Sequence, residues 1–273
     1  MMQGPIGVFD SGYGGLTVLK SIRAHLPQYD YLYLGDNART PYGTRSFDTV
    51  YQYTLEAVKY LFAQGCPLII LACNTASAKA LRSIQQKDLP SLAPHRRVLG
   101  VIRPTSEIIG EKSRIGTIGI LGTNGTVQSA SYVLEVAKFY PEIEVFQQSC
   151  PMWVPLVENN ELSGAGPAYF VEKSVGQLLE QSSSIDTILL GCTHYPLLSD
   201  LVRQFVPSHI SLIEQGPIVA GSLEDYLRRH PEIENYCQKN GEASFLTTDD
   251  AIKFSDASEI FWGSRVDAQR VTL

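Results

Sequence analysis

Two cysteines stand where they could move a proton. Cys73 closes the run Leu68-Ile69-Ile70-Leu71-Ala72-Cys73-Asn74-Thr75-Ala76-Ser77, and Cys192 closes Ile188-Leu189-Leu190-Gly191-Cys192-Thr193-His194-Tyr195-Pro196. A thiol becomes a usable base once its thiolate is stabilised. A thiolate on one face of a carbon and a thiol on the other can remove a proton and return one from the opposite side, which inverts a stereocentre. Asp10, Glu158 and His194 are the other titratable side chains set in polar turns beside apolar runs.

The elements that must position these groups repeat. Each cysteine follows a continuous apolar run, the pattern of a strand buried on both faces of a parallel sheet. After Cys73 an Ala-rich helix begins, with Thr75 or Ser77 available as N-cap. After Cys192, Pro196 suits an early helical position in a helix running to about residue 205. A thiol at the carboxyl end of such a strand lies where α/β folds place ligands, and the helix dipole there lowers its pKa.

Asp10 follows a short strand over 6–9 and opens the turn Ser11-Gly12-Tyr13-Gly14-Gly15, with a helix over 16–25 after it. The glycines permit a tight turn and close approach of a ligand. No Gly-Lys-Ser/Thr ending makes this a phosphate loop, and Asp10 would repel one. A strand over 31–34 leads into the polar loop 35–43, long enough to bind or cover a ligand. A helix over 46–64 stops at Gly65. Residues 85–97 form a polar, Pro-containing segment. Strands follow over 98–102 and 115–121, the latter entering Gly122-Thr123-Asn124-Gly125-Thr126 and a helix over 127–139. A strand over 143–148 precedes an irregular apolar segment, 150–158, ending at Glu158. The remaining pattern gives helices over 167–181, 217–229 and 249–261, the last capped by Thr248 or Asp249. It also gives strands over 209–213 and 244–247.

Strand, polar turn and helix, closing on a cysteine strand, thus occur twice. The reading is α/β: two similar doubly wound domains with mainly parallel sheets, related by a pseudo-twofold axis and facing each other across a cleft. Residues 1–98 with 213–273 make the first domain, carrying Asp10 and Cys73, and residues 99–212 the second, carrying Glu158 and Cys192. The tail returns to the first domain.

Composition bounds the function. At 44% hydrophobic and 18% charged residues the 273-residue chain is globular. A net charge of −6 with no basic cluster argues against nucleic acid and against an anionic membrane surface as partner. No run is long enough to span a membrane, and Met1-Met2-Gln3-Gly4-Pro5 lacks a signal pattern, so the expected compartment is the cytoplasm. The five cysteines (66, 73, 150, 192 and 237) show no C-x-x-C spacing, which speaks against a structural zinc or a disulfide framework; no metal is expected. No lysine stands at a strand end as a Schiff base would need, so pyridoxal phosphate is not indicated and no cofactor is expected.

The turns taken together resemble those of glutamate racemases. The matching pieces are residues 9–15, Phe-Asp-Ser-Gly-Tyr-Gly-Gly; 35–43, Gly-Asp-Asn-Ala-Arg-Thr-Pro-Tyr-Gly; 72–77, Ala-Cys-Asn-Thr-Ala-Ser; 122–127, Gly-Thr-Asn-Gly-Thr-Val; 154–158, Val-Pro-Leu-Val-Glu; and 191–196, Gly-Cys-Thr-His-Tyr-Pro. The resemblance implies cofactor-independent interconversion of L- and D-glutamate, supplying D-glutamate for peptidoglycan and hence for cell-wall biogenesis and cell shape. It assigns one enantiomer's proton to Cys73 and the other's to Cys192. Asp10 and His194 assist them, and Glu158 is a further acid near the site. It places Asp10, Ser11, Pro41, Tyr42, Gly43, Asn74, Thr75, Thr123, Thr126, Thr193 and His194 on the substrate. The family forms homodimers, and some members take a UDP-muramyl-peptide activator. Two departures fall outside the thiols: Arg103-Pro104-Thr105 where Glu-Pro-Gly is common, and Glu214-Gln215 where Asp-Ser is common.

Three other readings compete. An aspartate racemase of the same fold differs in substrate; the Thr193-His194 pair favours glutamate. A cysteine-dependent amidase or hydrolase needs one nucleophile with its base and oxyanion hole. A binding protein would hold glutamate without exchanging its α-proton.

Overall fold

Why the chain makes two sheets is visible in its strands. The computed structural model describes residues 3–273; Met1 and Met2, the first of the five N-terminal residues weighed as a signal pattern, lie outside the described residues. β1 (Ile6–Asp10), β2 (Tyr31–Gly35) and β3 (Leu68–Leu71) are buried at every position, as apolar strands with both faces covered must be. They join β4 (Arg97–Gly100) in parallel register. β5 (Thr117–Gly122) and β7 (Thr187–Gly191), equally buried, pair with β6 (Glu144–Ser149) and β8 (Ser211–Glu214). β9 (Ala243–Thr247) and β10 (Ala268–Arg270) add to the outer side of β2.

The sheet orders are β10-β9-β2-β1-β3-β4 and β6-β5-β7-β8. In the second sheet β5, β6, β7 and β8 take the places that β1, β2, β3 and β4 take in the first. Each domain is thus a doubly wound α/β unit of one order, and the first carries two extra strands from the tail. The expected edges at 98/99 and 212/213 each cut a strand. β4 continues to Gly100, and β8 pairs with β7 through Glu214, so it belongs wholly to the second sheet.

Helices cover both faces. In the first half these are α1 (Gly15–His25), α2 (Phe47–Ala63) and α3 (Asn74–Lys79). α4 (Ile102–Lys112), α5 (Asn124–Gln128), α6 (Ser131–Phe139), α7 (Trp153–Glu158) and α8 (Ala165–Leu179) follow. The last are α9 (Ser199–Arg203), α10 (Gln215–Arg229) and α11 (Ala251–Trp262). α10 packs on α1, and one apolar core runs from Leu19 and Ile22 through Val219 and Leu223 to Leu190 and Trp153.

Several expectations are corrected. Segment 150–158 is not irregular throughout: α7 forms, because Pro155 sits in the first turn, where its missing N–H has no partner to lose. Pro104 enters α4 the same way, so helix replaces the strand expected to reach residue 102. The polar segment after residue 81 is also largely helical to Leu92. The helix expected over 127–139 is two, broken where Ala130 turns left-handed at φ 51°. The Cys192 helix is a tight 3-10 turn, Tyr195–Leu198, followed by α9. Asp250, rather than Thr248 or Asp249, caps α11 by accepting from Lys253 N at 2.9 Å. Among the described residues no helix is long and apolar enough to cross a membrane.

Candidate active site

Cys73 sits just past the end of β3 and is itself the N-cap of α3, in place of the expected Thr75 or Ser77. Its Sγ accepts from Ala76 N at 3.4 Å and lies 3.5 Å from Ser11 Oγ. A sulfur acceptor thus replaces the usual oxygen at a helix start. The lowered thiol pKa expected from the dipole is not what results. Burial pushes the Cys73 thiol up to about 12, and the nearby Asp10 and Cys192 charges add to that. Its hydrogen bonds with Ser11 and Ala76 act the other way but lose, because only 6% of the residue meets solvent.

Cys192 occupies the equivalent end of β7 and is equally buried. Its Sγ is 3.9 Å from His194 Nδ1, while His194 Nε2 is 3.1 Å from Glu158 Oε1. Burial alone would push this imidazole down. Its contacts with Cys192 and Glu158 outweigh burial and hold it up to about 10, which favours the cation. Phe261 closes the pocket edge-on to the His194 ring at 5.4 Å between centroids. Tyr13 stacks on Phe261 at 5.7 Å.

Asp10 ends β1 and connects the two sets. Its Oδ2 accepts from Gly12 N at 3.0 Å and its Oδ1 from Thr193 Oγ1 at 3.5 Å. Burial raises its pKa, opposed by the His194 charge and the Gly12 and Gly15 amides. The Thr193 carbonyl in turn accepts from Thr17 Oγ1 at 2.8 Å, fastening the Cys192 turn to α1.

Three hydroxyls bridge the two domains: Thr75 Oγ1 to Thr123 Oγ1 at 2.9 Å, and Thr123 Oγ1 to Thr126 Oγ1 at 3.1 Å. Thr123 also caps α5, accepting from Thr126 N. Gly43 reaches the same place, its carbonyl accepting from Gly125 N at 2.8 Å. Buried Lys79 fixes the loop beyond it by donating to Arg45 O at 2.6 Å. Ser11 thus stands against Cys73, and Thr75, Thr123, Thr126 and Gly43 meet where the two domains join.

Of the residues expected on the substrate, Tyr42 and Asn74 have other partners and Pro41 faces solvent. Tyr42 is buried and its phenol donates to Asp36 Oδ2, which Arg39 Nε also holds at 2.7 Å. Pro41, preceded by a cis peptide bond, is exposed. Asn74 donates its amide N–H to Gln215 Oε1 and its Oδ1 accepts from Tyr132 OH, both at 2.6 Å.

The raised His194 pKa has a measurable consequence. A cation favoured in the folded state stabilises it fully below the unfolded imidazole value of 6.5, and that contribution is lost as pH rises toward about 10. Unfolding free energy of the wild type therefore falls across this range. His194→Gln removes that part of the slope. Urea unfolding at successive pH values measures the difference; identical slopes would refute the assignment.

The model for the Asp/Glu/hydantoin racemase family matches residues 16–221. The chain belongs to that family. It is therefore an amino-acid racemase, and its likeness to glutamate racemases spans nearly the whole chain. The glutamate racemase of Persephonella marina is 35% identical over 269 residues, 98% of this chain and 97% of that one. A glutamate racemase isoform from Bacillus anthracis superposes with a TM-score of 0.90 at 31% identity, covering 100% of this racemase and 99% of that chain. The glutamate racemase of Francisella tularensis, solved with D-glutamate, superposes at 0.87 with 31% identity, covering 99% and 98%.

Gln215, Tyr132 and Phe261 escaped the sequence reading of this racemase. Phe261 lies at the end of a tail helix, far along the chain from His194, and Gln215 registered only as a departure from the family pattern. Cys66, Cys150 and Cys237 are buried free thiols held up in pKa by burial.

Proposed function

We propose that this racemase interconverts L- and D-glutamate without a cofactor, one of Cys73 and Cys192 removing the Cα proton and the other returning its own proton to the opposite face. One observation carries the reading: the two thiols end equivalent strands of two sheets of one order, each with its own partner groups. With one enantiomer, the Cys73 thiolate takes the Cα proton, leaving the electron pair on a carbanion delocalised into the α-carboxylate. The Cys192 thiol then gives its proton to the opposite face. The other enantiomer runs the same steps in reverse. His194, held as a cation, stabilises the Cys192 thiolate. Burial and Asp10 oppose a thiolate at Cys73 in the empty site, so the substrate's own α-ammonium supplies the compensating charge. Amides and hydroxyls of Ser11, Thr75, Thr123 and Thr193 meet the carboxylates. Relatives about a third identical over nearly their whole length support glutamate as substrate. The role is supply of D-glutamate for peptidoglycan, in the cytoplasm, by a homodimer.

Purified protein with L-glutamate in D2O, no cofactor added, tests this. The α-proton signal disappears as optical rotation decays to zero. Rotation unchanged with glutamate, both alone and with a UDP-muramyl peptide as activator, would overturn the reading. Loss of rotation with aspartate in its place would identify the aspartate racemase.

A further inference from the structure

Behind Cys73 the two domains are pinned by a closed ring of side chains. Asn74 Nδ2 donates to Gln215 Oε1, Gln215 Nε2 donates to Tyr132 OH, and Tyr132 OH donates to Asn74 Oδ1, each at 2.6 Å. Every member donates once and accepts once around the ring. Gln215 Nε2 also lies 3.1 Å from Thr105 Oγ1, whose hydroxyl donates to Val101 O at 2.8 Å. Asn74, Tyr132, Thr105 and Gln215 are all at least 97% buried. Hydrogen bonds between buried amides and a phenol have no competing water, so the ring is rigid while complete and costly when opened.

Its members come from separate parts of the fold. Asn74 is the first residue of α3, next to the N-cap Cys73. Tyr132 is on α6 of the second domain, and Gln215 begins α10, where the chain leaves β8 to return to the first domain. The ring therefore sets two things together: the direction of the first turn of α3, and the distance of that turn from the second domain. The first fixes where the Cys73 sulfur points. The second fixes how near it stands to a carbon held between the domains.

We propose that Gln215 is a positioning residue for Cys73, acting through Asn74 and Tyr132 to hold that thiol in line with the substrate Cα. It rests on the two-thiol reading but touches neither thiol. Misplacing a reacting group by about 1 Å can cost about 100-fold in rate.

In Gln215→Leu the expected fall is about 10- to 100-fold in kcat with little change in KM, because the substrate contacts remain. Tyr132→Phe opens the same ring from the other domain and gives the same split. Gln215→Ser, whose hydroxyl is too short to reach either neighbour, does likewise. These two keep the test open should the leucine variant not fold.

A second readout needs no substrate. Iodoacetamide labelling followed site by site by mass spectrometry gives the rate at each thiol. Cys73 labels several-fold faster in the variants, since the first turn of α3 is released, while Cys192 keeps its wild-type rate. Unchanged kcat, or both cysteines shifting together, would overturn the proposal, the latter marking general loosening. If the wild type did not racemise glutamate, the functional reading would fail, but the Cys73 labelling rate would still decide the role of Gln215.

Discussion

Cys73→Ser and Cys192→Ser each lower racemisation by about 10²- to 10⁴-fold, the range spanned by removal of a positioned acid or base. The loss in kcat/KM is equal in the two directions. L- and D-forms of one amino acid have equal free energies in solution, so the ratio of the two values is fixed at unity however the enzyme is damaged. What separates the variants is exchange. In Cys73→Ser the remaining Cys192 still takes the proton from the enantiomer that presents its Cα–H to that wall. It returns a solvent deuteron to the same face. That enantiomer loses its α-proton signal in D2O without losing optical rotation, and its mirror image does neither. In Cys192→Ser the enantiomers change places. A variant that racemised normally, or one that exchanged both enantiomers alike, would refute the two-base mechanism and favour a single nucleophilic cysteine.

Gly14→Ala is expected to disable the enzyme with one methyl group. A Cβ built at Gly14 lies 2.3 Å from Thr193 Oγ1 and 2.4 Å from His194 Nδ1. The backbone there is ordinary, with φ −56°, so the penalty is purely one of space. Both neighbours are tied into the site. The Thr193 carbonyl is fastened to Thr17, and His194 is held between Glu158 at 3.1 Å and the Phe261 ring. Overfilling such a site costs about 1–3 kcal/mol, and moving the imidazole off Cys192 costs about 100-fold in kcat. Urea unfolding and steady-state kinetics measure the two effects. Gly176→Ala serves as control, since a Cβ there meets nothing within 4 Å. In mid-helix that change stabilises by about 0.5–1 kcal/mol. Comparable activity in both variants would show that the Gly12–Gly15 turn does not set the position of His194.

The site was legible in the sequence where buried strands announce themselves. β3 and β7 are buried at each position and lead abruptly into a cysteine and a polar pair, so strand, turn and thiol were found together. The same holds for Asp10 after β1. Legibility failed where proline misleads: Pro155, Pro104 and Pro90 all stand in first turns, where helix tolerates them, yet a proline reads as a break. β10, three residues at a sheet edge, has too little burial to leave a period. The Cys73 pKa went the wrong way because the dipole is a property of local sequence, whereas burial and the Asp10 charge arise from packing by distant segments. The Gln215 ring is long-range in the same sense. Nothing in the neighbourhood of residue 215 signals Asn74 or Tyr132.

The return of the tail to the first sheet also fixes an order of assembly. The strands of the second sheet, β5 to β8, are an uninterrupted stretch of chain, and each pairs with a near neighbour in sequence. That domain can complete itself while the polypeptide is still growing. The first cannot: β2 waits beside β1 with an open edge until β9 is made, more than two hundred residues later. An apolar parallel strand left open at its edge is a template for the wrong partner. Residues 243–247 are what cover that edge. The same returning segment carries Phe261, which packs against His194, so covering the open edge and completing the wall of the site fall to one stretch of chain.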